Sequence, residues 1–294
     1  MAEHVVLVNP SSAGGRIVDR LPELERALAE HGLRHRIVLT KSLEHGCDEA
    51  RAAVAIGAVP VVMSGDGLLG QVGGAIAGAG GVLGLIPGGR GNDLARVLGI
   101  PTELEPAAAL LGAGSVREID VGEVNGRRFL GIASCGFDSV ANRIANEAKW
   151  VRGNLVYAYA ALRALASWKP ARFSLVIDGR RHEARGYSVA VANNRAYGGG
   201  MFIAPEAELD DGLLDVVTTG AVGKLRFLVN LPKVFKGTHV DIESVEVRRG
   251  AEVRVEADRP FAVYADGEHL TDLPASVRVL PRALRIVAPA GGAG

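Results

Sequence analysis

At 294 residues and 48% hydrophobic, the chain is long enough for one large or two ordinary domains with a full core, and 22% charged residues argue against disorder. Its 33 basic and 33 acidic residues cancel, so no global electrostatic case for nucleic acid exists. Two cysteines without a CxxC or Cys/His cluster argue against a disulfide framework or zinc site, and no apolar run approaches the ~18 residues of a membrane-spanning helix.

The first third alternates strand and helix patterns. His4–Val8 reads as a strand ending at Asn9-Pro10, and residues 20–31 as a helix with Leu21, Leu24, Ala27 and Leu28 on one face. A strand over 36–40, a helix over 49–56, a buried strand over 59–63, a helix over 68–77, a strand over 82–86 and a helix over 92–98 follow. Such alternation predicts a parallel sheet with right-handed crossovers.

The pattern changes near Val116. Asn125-Gly126 and Asp178-Gly179 each sit between alternating runs, which is a hairpin signal. Short strands are expected over 187–192, 213–218, 245–247, 253–256, 261–264 and 277–280, interrupted by helices near 155–167 and 224–235. The fold class is therefore α/β: a Rossmann-like parallel-sheet domain over 1–118, and a β-rich antiparallel domain over 119–282, with a cleft between them. The segment 283–294 could return to the first domain.

Five segments carry chemistry. Strand 59–63 runs into Ser64-Gly65-Asp66-Gly67 and then a helix, expected as an exposed turn whose free N–H groups suit a phosphate. Strand 82–86 runs into Pro87-Gly88-Gly89-Arg90-Gly91-Asn92-Asp93, where Arg90 could clamp a phosphate and Asn92 or Asp93 could cap the helix. Asn9-Pro10-Ser11-Ser12-Ala13 adds donors at the same sheet edge. There is no GxxxxGK and no GxGxxG after a strand, so neither a P-loop nor a dinucleotide fingerprint is present. In the β-rich half, Gly198-Gly199-Gly200 precedes the acidic turn Glu208-Leu209-Asp210-Asp211-Gly212-Leu213, which could hold a hard cation. Last comes Asp266-Gly267-Glu268.

In order and wording these segments resemble the diacylglycerol-kinase catalytic family, which includes bacterial lipid kinases. The likeness extends to Gly136-Phe137-Asp138-Ser139 with Asn142 and Asn146, and to Phe235-Lys236-Gly237-Thr238-His239. The resemblance implies an ATP- and Mg²⁺-dependent lipid kinase, with diacylglycerol as the first-choice acceptor. ATP would be bound by Asn9, Pro10, Ser11, Ser12, Ala13, Thr40, Gly65, Asp66, Gly67, Leu68, Leu69, Gly70, Gln71, Gly89, Arg90 and Asn92. Asp66 and Asp93 would organise Mg²⁺ and its waters, and Glu268 would be the general base. A structural Mg²⁺ would use Asp211 with backbone oxygens of Glu208 and Leu213.

The chain departs from the family pattern at Ser64, Leu68, Gly70-Gln71 and Arg90, where a glycine, a threonine, Asn-Glu and a threonine are usual. Ser-Gly-Asp-Gly-Leu is similar to what sphingosine and ceramide kinases carry, so a sphingoid-type lipid kinase is an alternative. An NAD kinase, which shares a Gly-Gly-Asp-Gly-type loop, is another, and the altered loop residues leave a non-catalytic nucleotide-binding regulator as a third. The expected partners are a membrane lipid met at the bilayer surface and a second copy in a homodimer, without nucleic acid. The expected location is cytoplasmic, peripheral to the inner face of the membrane. The basic and apolar segment 223–236 reads equally as a membrane-surface helix or an amphipathic core helix.

Overall fold

The computed structural model describes residues 2–148 and 155–290. Within the first domain, strands β1 (His4–Val8), β2 (His35–Leu39), β3 (Val59–Ser64) and β4 (Val82–Pro87) pair in parallel in the order β2-β1-β3-β4. Val5, Val6, Leu7 and Val8 have no solvent exposure, the continuous apolar run expected where helices cover both sheet faces. Those helices are α1 (Leu21–Glu30), α2 (Leu43–Ala55), α3 (Asp66–Ile76), α4 (Asp93–Leu98) and α5 (Leu104–Ala113).

Some elements differ from the sequence reading. Helix α2 starts six residues before the expected 49, because the Ser42 side chain accepts the His45 N–H at 3.0 Å and caps it. Helix α5 has no sequence-stripe counterpart in that reading: LEPAAALLGA is apolar almost all round, so periodicity is silent.

Antiparallel pairing dominates the second domain. Strands β5 (Ser115–Val124) and β6 (Arg127–Phe129) form the Asn125-Gly126 hairpin, and β8 (Ala171–Ile177) and β9 (Arg180–Ala192) form the Asp178-Gly179 hairpin. The other strands are β7 (Ile132–Gly136), β10 (Leu214–Gly220), β11 (Val245–Gly250), β12 (Glu252–Ala257), β13 (Ala262–Ala265), β14 (Glu268–Asp272) and β15 (Ala275–Ala288). Helices α6 (Phe137–Glu147), α7 (Leu155–Ser167) and α8 (Lys224–Val234) lie among them.

The long strand β15 links the halves. It pairs antiparallel with β12 and β5, then bulges between Leu280 and Leu284, and its end pairs in parallel with β4 through Arg285–Val82 and Ile286–Leu83. The sheets are thereby continuous from β14 to β2. Residues 291–294, part of the expected return segment, and the Asn146 side chain lie outside the described residues.

Candidate active site

Three loops at the carboxyl ends of β1, β3 and β4 form the floor of the site. Helix α3 begins at Asp66 directly after β3, and its Oδ1 accepts the Asp93 N–H at 2.8 Å. Asp66 thus caps the first turn of α4 from the neighbouring loop, the task expected of Asn92 or Asp93. Asn92 instead adopts a left-handed conformation (φ 51°) and closes its own loop, accepting the Gly89 N–H at 2.9 Å and donating to the Gly89 carbonyl at 3.1 Å. The hydroxyls of Ser12 and Ser64 share a hydrogen bond of 2.8 Å, tying the first loop to the second.

The β-rich domain reaches into this floor at two points. Gly199 and Gly200 donate their N–H groups to the two carboxylate oxygens of Asp93, at 2.9 and 2.7 Å. Both glycines have positive φ (88° and 98°), which lets consecutive amides face one carboxylate. The turn before β14 makes the second contact. Asp266 accepts the N–H groups of Leu130 and Gly131, each at 2.9 Å, so its carboxylate points inward. Glu268 then lies over the start of α3: a Cβ on Gly67 would meet its Oε1 at 3.2 Å, and a Cβ on Gly70 would strike Asp266 Oδ2 at 2.3 Å.

Negative charge is concentrated here. Burial, and after it the neighbouring Asp93 charge, push the Asp66 carboxyl up to about 6 against the opposing backbone N–H groups. Burial likewise lifts Asp266 to about 7, with Asp66 and Asp93 adding to it against the Leu130 and Gly131 amides. The expectation of an exposed Ser-Gly-Asp-Gly turn is corrected: Ser64 is buried and Asp66 half-buried, because the β-rich domain covers the turn.

These loops form one end of a cavity of about 620 Å³. Ser12, Ala13, Gly65, Asp66, Gly67, Leu69, Gly70, Gly89, Arg90, Asp93 and Glu268 line it. Asn9, Pro10, Ser11, Thr40, Leu68, Gln71 and Asn92 are not among the lining residues. Asn9 accepts the Ser11 N–H, Thr40 donates to the Val8 carbonyl, and Leu68 packs in the core beside Cys47 and Val72. The far end is mainly apolar and lies in the second domain, with Phe137, Ala160, Val217, Phe227, Leu231 and Val234 in its walls beside the polar Asn142, Thr219, Asn230 and His239.

One acid stands in that apolar end. Burial pushes Asp138, on the first turn of α6, up to about 6, against a hydrogen bond with the Ser188 side chain. Asp138 and the anchoring roles of Asp266, Gly199 and Gly200 escaped the site assignment from sequence. Asp138 does fall in the Gly-Phe-Asp-Ser segment, but nothing local says that α6 turns it into a cavity.

The acidic turn lies apart from this cavity. Asp211 accepts the Leu213 N–H at 2.9 Å and pairs with the Arg249 guanidinium, which also reaches Asp215 at 3.4 Å. Its hub is Asp120, fully buried, which accepts the N–H groups of Gly212 and Arg282, both at 2.7 Å. Burial raises the Asp120 carboxyl, and Asp211 and Asp210 raise it further against those two amides. Arg249 thus supplies positive charge to a cluster whose oxygen chemistry also suits a hard cation.

Among the described residues no three His, Cys, Asp or Glu side chains converge to hold a metal unaided. Asp66 and Asp93 nevertheless fit Mg²⁺ in the way that ion is often held, by one or two carboxylates with the remaining oxygens from phosphate and water. Their shared, partly desolvated negative charge is what a cation would relieve.

Comparison with known proteins agrees with this construction. Residues 3–124 match the family model described as the diacylglycerol kinase catalytic domain. Residues 131–288 match the YegS C-terminal NAD kinase beta sandwich-like domain. The chain is 36% identical over 303 residues to a diacylglycerol kinase of Mycobacterium tuberculosis, covering 97% of this chain and 95% of that protein. It is 37% identical over 240 residues to a YegS-like lipid kinase of Pseudomonas aeruginosa, with 79% and 76% covered. A crystal structure of a diacylglycerol kinase from Bacillus anthracis shares the fold, with a TM-score of 0.76, 20% identity, and 99% and 98% of the two chains covered. The chain therefore belongs to the family of diacylglycerol kinases and YegS-like lipid kinases.

Proposed function

We propose that this protein transfers the γ-phosphate of ATP to a lipid hydroxyl, converting diacylglycerol to phosphatidic acid. The observation that carries the reading is the two-ended cavity. One end offers glycine-rich loops and carboxylates, which suit phosphates and a cation; the other offers an apolar chamber, which suits acyl chains. An NAD kinase would need a polar second subsite there.

In this reading the N-terminus of α3 and the Gly89–Gly91 turn receive the phosphates, and Arg90, exposed at the rim of the cavity, neutralises them. Asp66 and Asp93 would hold Mg²⁺ together with the nucleotide, and the ion would neutralise charge at the transferred group. Glu268, set over Gly67, takes the proton of the acceptor hydroxyl as it attacks. Asp266 positions Glu268 by anchoring their shared turn to the Leu130 and Gly131 amides.

A second acceptor class, a sphingoid base, is favoured by one feature. Asp138 places a carboxylate within the apolar chamber, where an ammonium or second hydroxyl on the acceptor would meet it. The test is transfer from labelled ATP to diacylglycerol, sphingosine and NAD offered separately. Phosphate appearing only on NAD, or on none of them, overturns the lipid-kinase reading.

A further inference from the structure

Tyr197 lines the cavity, and its place there is fixed by the turn it opens. Tyr197 and Met201 exchange both backbone hydrogen bonds across Gly198–Gly200, at 3.0 and 3.1 Å. Two amides of that same turn, those of Gly199 and Gly200, grip the Asp93 carboxylate on the floor. The contact that joins the two domains therefore also sets the phenol ring in register with the nucleotide loops.

The hydroxyl of this ring is held as a permanent donor. Burial pushes its pKa well above the ordinary tyrosine value, and the charges of Asp138 and Asp93 push the same way. Both carboxylates are thus within electrostatic reach, Asp138 from the acceptor chamber and Asp93 from the floor. Tyr197 stands where the two ends of the cavity meet. Among the described residues none shares a hydrogen bond with its hydroxyl. The partner has to come from the cavity, as water or as a bound ligand.

We propose that the Tyr197 hydroxyl donates a hydrogen bond to an ester carbonyl of the acceptor lipid and so makes the protein selective for glycerol esters. The inference rests on the diacylglycerol reading for its ligand. An anion is a poor partner here, because two carboxylates already face the spot, and phosphates have their own donors on the first-domain loops and at Arg90. A neutral oxygen suits it. Diacylglycerol offers two ester carbonyls, acceptors only, a few bonds from the hydroxyl that Glu268 deprotonates in our reading. The ionised carboxylates around them have no proton to give, whereas the phenol does. A bond from Tyr197 to one carbonyl would turn the free hydroxyl of the glycerol toward the floor.

The experiment compares the full chain with Tyr197→Phe, which keeps the ring and removes the donor. The acceptors are dioctanoylglycerol and its ether counterpart dioctylglycerol, which lacks both carbonyls, each dispersed in the same detergent. Transfer from ATP gives kcat/KM for each, and calorimetric titration gives their affinities without turnover. The wild-type preference for ester over ether should exceed that of Tyr197→Phe by at least about tenfold, expressed chiefly in KM for the lipid. KM for ATP should stay within about twofold, and the variant should melt no lower, since no described residue loses a partner. An ester-to-ether ratio equal in the two proteins overturns the proposal. If ester and ether turnover fall in parallel, with a lower melting temperature, the hydroxyl serves the fold instead. If they fall in parallel with weaker ATP binding, it serves the nucleotide. Should neither lipid be phosphorylated by wild type, the proposed activity fails, and the ratio of the two binding affinities decides the hydrogen bond on its own.

Discussion

Gly67 and Glu268 belong to different domains, yet a Cβ on Gly67 would stand 3.2 Å from Glu268 Oε1. The start of α3, which receives phosphate in our reading, and the carboxylate assigned to proton transfer are thus in van der Waals reach. Glu268→Gln keeps the shape and removes the charge. Single-turnover transfer at saturating ATP and diacylglycerol should fall by at least about 100-fold, with ATP affinity little changed. A variant within a few-fold of wild type would remove Glu268 from the chemistry.

Asp93 is the clasp between the domains, because Gly199 and Gly200 each give it one N–H. Asp93→Asn replaces one acceptor oxygen by an NH₂ group that faces a donor. We expect a loss of about 2 kcal/mol in urea unfolding, the scale of a charge-assisted hydrogen bond, together with loss of transfer. Unchanged stability would mean that the clasp contributes nothing to the folded state.

Asp66, Asp138 and Asp266 are raised to about 6, 6 and 7 in the folded protein from the ordinary aspartate value of 3.8. The native state therefore binds protons more tightly than the unfolded chain over this range. Stability should be greatest at the acid end of the window and fall as pH rises from about 4 through 7. Melting temperature of the nucleotide-free protein should drop between pH 5 and pH 8, and the drop should be smaller in Asp66→Asn. A melting temperature that climbs over the same interval would contradict these shifts.

Asp66→Asn should also separate stability from activity. It retains an oxygen for the Asp93 N–H and removes a partly desolvated charge, so melting temperature at pH 8 should not fall. Transfer should drop by at least about 100-fold, because a neutral amide is a poor partner for a hard cation. Full turnover in the folded variant would place the cation elsewhere.

The acidic turn offers a test of competition. Arg249 pairs with Asp211 and Asp215, so a cation at this turn has to displace it. Mg²⁺ should raise the melting temperature of Arg249→Ala more than that of wild type, and Asp211→Ala should abolish the increment. Equal responses in all three proteins would exclude a cation there.

Much of this architecture is local chemistry and was legible in the chain. The continuous apolar runs of β1 and β3, the glycine turns that follow β3 and β4, and the Asn125-Gly126 and Asp178-Gly179 hairpins follow from periodicity and turn propensity over a few residues. The order of five motifs was enough to expect the family. Other features depend on distant segments meeting and have no local signature. Periodicity does not reveal that the Gly198–Gly200 run serves Asp93, that Asp266 points inward to Leu130 and Gly131, or that Asp66 is covered by a second domain. Nor does the spacing of 223–236 decide between a core helix and a surface one, since both carry the same amphipathic stripe. Tertiary packing settles these points because burial, pKa and hydrogen-bond partners are properties of the space around a side chain. In this protein that space is bounded by both domains at once.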